Sequence, residues 1–263
     1  MAVGCMNRCA VALLICGILL SAIIAQREIT GDSPFIGEKC ERPSVAGLAL
    51  SFDDTIYLPT WYESRPIFKE HGIKATFFLN GVERFNESQW EMVDHLVEDG
   101  HEIGYHGTNH TSALESLAEN GDAVTYRITE VDRGLSLMKE RGYVVDSFAY
   151  PFGARSIETD EPLKDNFSVL REVGGNKPGS NHWLAKCEDG GVFGAISLDT
   201  KHGNANWVEN TVDDAKMNDA TLVLYAHGID EGGYHCNSED LIAIAEEAEA
   251  NGLPFLTMSE LGR

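Results

Sequence analysis

The sequence predicts an α/β fold, specifically a distorted (β/α) barrel with about seven parallel strands. Three observations lead to this fold class. Amphipathic helical segments alternate with short apolar runs, a glycine ends several of the helices, and no GxGxxG motif of an open dinucleotide-binding sheet follows any run. Alternating helices and strands require crossover connections, which place the strands parallel to one another.

Each apolar run is assigned to a strand because it is short and bounded by turn residues. The predicted strands are residues 46–52, 75–79, 102–105, 143–150, 191–198, 221–225 and 254–257. The glycines that end the preceding helices are Gly72, Gly100, Gly142 and Gly252. The intervening helices are expected to cover the outside of the barrel.

The first 25 residues are predicted to be a secretory signal peptide. Arg8 supplies a positive charge, residues 9–25 form an apolar run of 17 residues, and Ala25 offers a small residue for cleavage. A short membrane anchor is the alternative, because this run is at the lower length limit of a membrane span and Ile23 stands where cleavage favours a small residue. Residues 26–45 are predicted to be a polar lead-in, and residues 46–263 the folded domain.

Charge and cysteine content restrict the class of protein further. With 20 basic and 42 acidic side chains, the formal net charge is −22, which argues against nucleic acid or an anionic membrane as a partner. Cys40, Cys187 and Cys236 remain after the predicted signal. An odd number allows a disulfide from Cys40 to one of the other two plus a free thiol, or no disulfide.

Two carboxylates and two histidines form the candidate metal site. Asp53 and Asp54 follow the first predicted strand, and His106 and His110 follow the third. Two histidines separated by three residues would fall on one face of a helical turn and bind the same ion. Together with one aspartate they would form a three-ligand site with open positions for water, which is typical of hydrolytic metal centres.

Each of these motifs also has a purely structural interpretation. An acidic pair after a strand can cap a helix or form an Asx-turn, and Asn109-His110-Thr111 is a glycosylation sequon that would suit an exposed turn. Their occurrence at two strand ends of the same chain favours the functional interpretation.

Polar side chains also follow three other predicted strands. Residues 150–153 (Tyr-Pro-Phe-Gly) end the fourth strand, Asp199 follows the fifth, and His227 follows the sixth. Because chemistry in parallel barrels is located at the C-terminal strand ends, five segments point to one rim. His227 suits a general acid or base, since imidazole titrates near neutral pH, whereas His235 lies in a glycine-rich loop and is the weaker candidate.

These segments resemble the polysaccharide deacetylases, the family of chitin, peptidoglycan and acetylxylan deacetylases (carbohydrate esterase family 4). The resemblance spans residues 45–260 or thereabouts. It rests on Ser51-Phe52-Asp53-Asp54, His106 with His110, Tyr150-Pro151-Phe152-Gly153, Asp199 with Trp207 after it, and Leu224-Tyr225-Ala226-His227.

The resemblance implies a secreted, metal-dependent hydrolase, a carbohydrate deacetylase that removes N-acetyl groups from a glycan. A chitin-type polymer of N-acetylglucosamine is the favoured substrate, and O-acetyl esters come next. The protein is then expected to be an extracellular or periplasmic monomer whose partner is an acetylated polysaccharide or oligosaccharide. Residues 46–263 would be the catalytic domain.

The resemblance also implies a role for each site residue. Zinc is the expected metal, with cobalt, nickel or manganese as alternatives. The implied assignments are Asp54, His106 and His110 as metal ligands, Asp53 as general base, His227 as general acid and the backbone N–H of Phe152 as oxyanion donor. Asp199 is the carboxylate that we expect to raise the pKa of His227. The predicted substrate contacts at the rim are Tyr150, Pro151 and Trp207.

The sequence departs from the family pattern at two positions. The arginine that usually begins the third motif and holds the catalytic aspartate is replaced by Ala149, so we expect Asp53 to lack that partner. Arg155 is a hypothetical substitute for the missing arginine. Asn206 precedes Trp207 where the family usually has a second acid, which leaves the substrate groove undefined.

Two other functions remain open at this point. The first is a hydrolase of small amides or cyclic imides, against which the predicted signal peptide argues. The second is a non-catalytic glycan-binding protein, for which Ala149 would be the mark of lost activity. Retention of the two aspartates and the three histidines of the candidate site argues against this second alternative.

Overall fold

Seven parallel strands close into a barrel. The computed structural model describes residues 45–174, 183–186, 189–202 and 208–262, which lie within the compact unit Glu41–Arg263. The strands are β1 (Gly47–Asp53), β2 (Ala75–Leu79), β3 (Glu102–Tyr105), β4 (Ser147–Ala149), β5 (Val169–Val173), β6 (Leu184–Ala185), β7 (Val192–Ser197), β8 (Thr221–Ala226), β9 (Gly228–Ile229) and β10 (His235–Cys236).

The barrel has the strand order β1-β2-β3-β4-β5-β7-β8, and β8 pairs with β1 to close the ring. Every pairing within the ring is parallel, whereas β6 is added antiparallel to β8. A short parallel pair, β9 with β10, lies outside the ring. The predicted (β/α) barrel is therefore confirmed, and all seven C-terminal strand ends meet at one rim.

Helices connect the successive strands of the ring except β5 and β7, between which the described residues contain no α-helix. The α-helices of the described residues are α1 (Leu58–Glu63), α2 (Arg65–Glu70), α3 (Glu87–Glu98), α4 (Ala113–Asn120), α5 (Ala123–Glu130), α6 (Asp132–Glu140), α7 (Ile157–Lys164), α8 (Val208–Met217), α9 (Ser238–Asn251) and α10 (Met258–Leu261). Short 3₁₀ turns follow four of the barrel strands, at Thr55–Tyr57, Val82–Arg84, Pro151–Gly153 and Thr200–His202.

Side chains alternate between two buried clusters along the barrel strands, as the period of two of a β-strand requires. On β1, Leu48, Leu50 and Phe52 belong to the larger cluster, which includes the apolar faces of the helices. Ala49 belongs to a smaller cluster with Phe78 of β2 and other strand residues of the opposite parity, which fills the barrel interior. Asp53 has the same parity as Ala49 and therefore faces inward at the rim.

The seven observed strands differ from the predicted seven in one member. Residues 254–257 do not form a barrel strand, and Phe255 makes only an isolated parallel bridge to Leu48. The missing member is β5, which sequence reasoning did not identify because Arg171 and Glu172 interrupt its apolar pattern. The fourth strand is also shorter than predicted, at Ser147–Ala149.

Several sequence-based predictions concern residues that the structure does not describe. The signal peptide and the polar lead-in lie within residues 1–44, outside the described ranges. Cys40 and Cys187 also lie outside them, while Cys236 is a buried free thiol. In the part of the chain that is described, no helix has the length and apolar character needed to cross a membrane.

The barrel interior is packed closely enough to exclude a methyl group at Gly104. A Cβ added there would lie 2.4 Å from Phe78 Cε1 and 2.7 Å from Ser147 Oγ. We expect Gly104→Ala to lower the free energy of unfolding by roughly 1–3 kcal/mol, measured by denaturant titration, because overpacking forces neighbours out of place. Gly233→Ala is the matched control, since its nearest contact is Tyr57 Oη at 3.9 Å. Equal stability of the two variants would contradict this view of the interior.

Candidate metal centre and active site

Five predicted segments meet at the C-terminal rim of the barrel. Asp53 is the last residue of β1 and His106 directly follows β3. The Pro151–Gly153 turn begins two residues after β4, Asp199 lies two residues after β7, and His227 directly follows β8. Separate elements of the sequence are thus brought together because parallel strands end on the same side of the barrel.

Asp54, His106 and His110 offer one ligand atom each, and these atoms all lie within 4.8 Å of one another. Asp54 Oδ1 is 3.7 Å from His106 Nε2 and 3.4 Å from His110 Nε2. His106 Nδ1 donates to the Ala149 carbonyl oxygen at 2.7 Å, which leaves Nε2 free as a ligand. Two imidazole nitrogens and one carboxylate oxygen at this spacing fit a divalent metal ion.

The chain between the two histidines is a loop, so the predicted helical turn is wrong. Gly107 has φ 88° and His110 has φ 58°, both in the left-handed region, and no helix is assigned to residues 106–111. The imidazoles still converge, with ring centroids 4.9 Å apart. The spacing of the histidines predicted their shared site correctly but for the wrong structural reason.

Asp53 is buried against a cation that sequence reasoning missed. Its Oδ2 accepts a hydrogen bond from Arg171 Nη2, and the two side chains are 4% and 0% exposed. Its other oxygen, Oδ1, is buried and has no hydrogen-bond partner. Burial alone would raise the pKa of Asp53, but Arg171, assisted by His106 and His227, holds it below the ordinary value.

Arg171 stands next to the position from which the family arginine is missing. It is the register partner of Ala149 on the neighbouring strand, so both residues point to the barrel interior. The guanidinium carbon lies 5.4 Å from the ring centroid of Phe78 and 5.0 Å from that of Tyr225. These rings and the small Ala149 side chain form the space that the arginine fills.

The expectation that Asp53 lacks an arginine partner is therefore wrong, and so is the hypothesis that Arg155 replaces it. Arg155 donates from Nε to Asp160 Oδ1 at 2.8 Å and from Nη1 to Glu172 Oε2 at 3.3 Å. Its acceptors belong to α7 and β5, and neither of them is Asp53. The sequence did contain a signal for Arg171, because it is a charged residue within an otherwise apolar segment. A buried arginine requires a buried anion, so this position could have predicted an acidic partner.

His227 and Asp199 form a hydrogen-bonded pair next to Asp54. His227 Nδ1 donates to Asp199 Oδ2 at 2.7 Å, and Asp199 is fully buried. This bond leaves His227 Nε2 on the side of the metal ligands, 3.8 Å from Asp54 Oδ2. Burial alone would lower the pKa of His227, but the hydrogen bond to Asp199 and the charge of Asp53 raise it.

Two tyrosines beside His227 were not among the predicted site residues. The ring centroid of Tyr57 lies 6.0 Å from that of His227, and the ring centroid of Tyr234 lies 5.4 Å away. Tyr234 is 44% exposed, so part of its ring is available to a ligand. No motif marks these residues, because Tyr57 ends the 3₁₀ turn after β1 and Tyr234 lies in the loop before β10.

The predicted substrate contacts have different surroundings in the structure. Tyr150 is fully buried and donates to Thr159 O at 3.1 Å and Asp160 Oδ1 at 3.0 Å, and Pro151 is also buried. Substrate contact by these two side chains is thus contradicted by their burial. Phe152 is 68% exposed, has φ 60° and packs edge-on against His110 at 4.6 Å. Trp207 lies outside the described residues.

Comparison with known proteins agrees with this fold and site. Residues 41–166, which include both aspartates and the paired histidines, match the family model described as polysaccharide deacetylase. A chitin deacetylase of Pestalotiopsis sp is 29% identical over 126 residues, covering 48% of this chain and 40% of the relative. A peptidoglycan deacetylase of Helicobacter pylori is 32% identical over 80 residues, covering 30% of this chain and 26% of the relative.

The matched segments thus span less than half the length of these curated relatives. Among solved structures, a suspected polysaccharide deacetylase of Mycobacterium smegmatis aligns with a TM-score of 0.60 at 17% identity, over 84% of this chain and 91% of its own. A Bacillus anthracis pseudoenzyme of carbohydrate esterase family 4 aligns with a TM-score of 0.50 at 17% identity, over 84% of this chain and 67% of its own. Both alignments reflect a shared fold.

The fold and the aspartate–histidine site define a class of (β/α) barrels with a candidate metal site at the C-terminal rim. Within that class, this chain is similar to the polysaccharide deacetylases over residues 41–166.

The ligand set predicts stoichiometric binding of one divalent ion. We expect Asp54→Asn to weaken cobalt binding to the metal-free protein by at least about tenfold in an absorbance titration, because a charged ligand is replaced by a neutral amide. Asparagine tolerates the φ of 72° at this position. The matched control is Asp219→Asn, another aspartate with positive φ, 49°, on the exposed surface. Unchanged affinity in Asp54→Asn would exclude Asp54 as a ligand.

Proposed function

We propose that this protein is a metal-dependent deacetylase that hydrolyses N-acetyl groups of an extracellular polysaccharide. The observation that carries the proposal is the separation of the two aspartates. Asp54 faces His106 and His110, whereas Asp53 is held by Arg171 with its second oxygen, Oδ1, free of any hydrogen bond. One aspartate is thereby available to a metal and its neighbour to a proton.

The chemistry follows from the groups at the rim. A bound divalent cation, for which zinc is our first assignment, would polarise the acetyl carbonyl and favour deprotonation of water. Asp53 Oδ1 accepts the proton of the attacking water while Arg171 keeps the carboxylate in place. A C–O bond forms at the acetyl carbon, and negative charge develops on the carbonyl oxygen, where the backbone N–H of Phe152 donates a hydrogen bond.

His227 completes the reaction. Its Nδ1 is engaged with Asp199, so Nε2 is the nitrogen that faces the reacting group and donates a proton to the departing amine. The C–N bond breaks, and acetate and a free amino sugar are released. Tyr57 and Tyr234 beside His227 offer aromatic surface for the sugar ring.

A chitin-type polymer is the substrate we favour, with O-acetylated xylan and peptidoglycan as the nearest alternatives. The named activity of the Pestalotiopsis relative supports this choice. We assign residues 1–25 as the signal for secretion because of their apolar run and small cleavage residue. Acetate release from chitin oligomers, peptidoglycan and acetylated xylan, with and without zinc, distinguishes these substrates. Metal binding and glycan affinity without acetate release from any of them would indicate a non-catalytic glycan-binding protein.

The role of Asp53 predicts a specific kinetic defect. We expect Asp53→Asn to reduce kcat for acetate release by about 100-fold or more, because proton transfer by a positioned base typically contributes 10²–10⁴-fold. Metal content, measured by elemental analysis, should stay at the wild-type level because Asp54 and both histidines remain. Wild-type turnover by this variant would exclude Asp53 as the base.

The hydrogen bond from Arg171 to Asp53 predicts a second kinetic defect. We expect Arg171→Lys to reduce kcat by about 100-fold with little change in KM, because a lysine keeps the charge but cannot hold Asp53 at the same distance and angle. Arg155→Lys is the matched control, an arginine that also pairs with an aspartate but away from the site. Equal kcat values for the two variants would show that Asp53 does not depend on Arg171.

A further inference from the structure

The loop that carries the two histidine ligands cannot hold its own shape through helical hydrogen bonds. The backbone between His106 and His110 contains two left-handed positions, Gly107 at φ 88° and His110 at φ 58°. For a residue other than glycine this conformation costs free energy and persists only where the surroundings enforce it. The groups that enforce it at His110 must therefore come from elsewhere in the chain.

Glu130, the last residue of α5, makes contacts on both sides of His110. Its Oε2 accepts from the backbone N–H of Asn109 at 2.8 Å and from that of Thr111 at 3.4 Å. Its Oε1 accepts from Asn109 Nδ2 at 2.9 Å and from Thr111 Oγ1 at 3.0 Å. The Glu130 carbonyl oxygen accepts a fifth bond, from Thr108 N–H at 2.9 Å.

The carboxylate is committed to this loop alone. Glu130 is 3% exposed, and within the described ranges no lysine, arginine or histidine forms an ion pair with it. A buried carboxylate that lacks a cation is stable only when hydrogen-bond donors surround it. All of the donors that satisfy this carboxylate belong to the two neighbours of His110 in sequence. Both polar side chains of the Asn109-His110-Thr111 sequon are thus engaged with Glu130.

The fit between carboxylate and loop is tight. A Cβ at Gly107 would lie 3.1 Å from Glu130 Oε2 and 3.8 Å from Pro151 Cγ. Gly107 thus combines a backbone conformation that favours glycine with a close approach to the carboxylate.

We propose that Glu130 is a positioning residue that holds the His106–His110 loop in its metal-binding conformation before the ion arrives. It does so in place of the backbone hydrogen bonds that a helical His-x3-His motif would have. Ordering of the loop is then completed during folding, so that binding of the ion does not have to supply that free energy. This inference rests on the proposed function only in that it takes Asp54, His106 and His110 as the metal ligands.

The test measures metal affinity and fold stability separately. Glu130→Gln preserves the shape of the side chain but replaces one acceptor oxygen with a donor. We expect it to raise the dissociation constant for cobalt, measured by visible absorbance on the metal-free protein, by about tenfold or more. The cobalt spectrum should also change, because His110 is less well oriented. Thr111→Val removes only the hydroxyl donor, and we expect a smaller increase from it.

Glu102→Gln is the matched control. This carboxylate accepts from Thr76 Oγ1, Ser147 Oγ and Ser259 N–H, at the start of β3 and therefore at the opposite end of the barrel. We expect Glu102→Gln to lower the unfolding midpoint and leave cobalt affinity and spectrum unchanged.

Three results would overturn the inference. In the first, the dissociation constant of Glu130→Gln for cobalt stays within about twofold of the wild-type value. That change is smaller than the loss of a residue that orients a metal ligand causes. In the second, Glu130 and Glu102 variants lose affinity equally, so that the effect follows general stability. In the third, Glu130→Gln does not fold and Thr111→Val binds as the wild type does. A wild-type protein that binds no cobalt would instead reject the metal centre of the proposed function itself.

Discussion

The buried ion pair between Asp53 and Arg171 is the interaction on which the candidate site depends. It joins β1 to β5 inside the barrel, and its two side chains are no more than 4% exposed. A buried charge that loses its partner typically costs 3–5 kcal/mol, about as much as a large core truncation, so neither residue can be removed alone without penalty. By holding one oxygen of Asp53, the pair leaves the other at the rim beside the metal ligands. The different environments of two adjacent carboxylates follow from this single contact.

Much of the fold could be predicted from the sequence because its signals are local. Helix-ending glycines and short apolar runs mark most of the strands, and polar residues directly after them predicted one rim. The same reasoning brought Asp54, His106 and His110 together correctly. The pairing of His227 with Asp199 was also predicted, and the structure shows that the two residues follow strands that are neighbours in the barrel.

The parts of the fold and of the site that could not be predicted depend on contacts between residues distant in sequence. Arg171 is 118 positions from Asp53, and its strand does not look buried because two charged residues interrupt it. The loop geometry at His110 likewise depends on Glu130, which lies 20 positions further along the chain at the end of α5. Tyr150 was assigned to substrate contact from its motif, but its hydroxyl group is satisfied inside the protein by Asp160. In each case tertiary contacts determine the surroundings of the side chain, which the local sequence pattern does not specify.

The register of β4 with β5 has a consequence for how loss of function is recognised among the polysaccharide deacetylases. Ala149 and Arg171 are partners across two strands, so a guanidinium anchored on either strand enters the same part of the barrel interior. The requirement at this point is a positive charge in a given volume, not a residue type at a given place along the chain. A search that requires an arginine on the fourth strand would classify this protein as inactive, although Asp53 is paired with the guanidinium group of Arg171. Inactive members of such a family are better recognised from a structure in which the catalytic aspartate has no neighbouring cation than from a sequence motif that lacks its arginine.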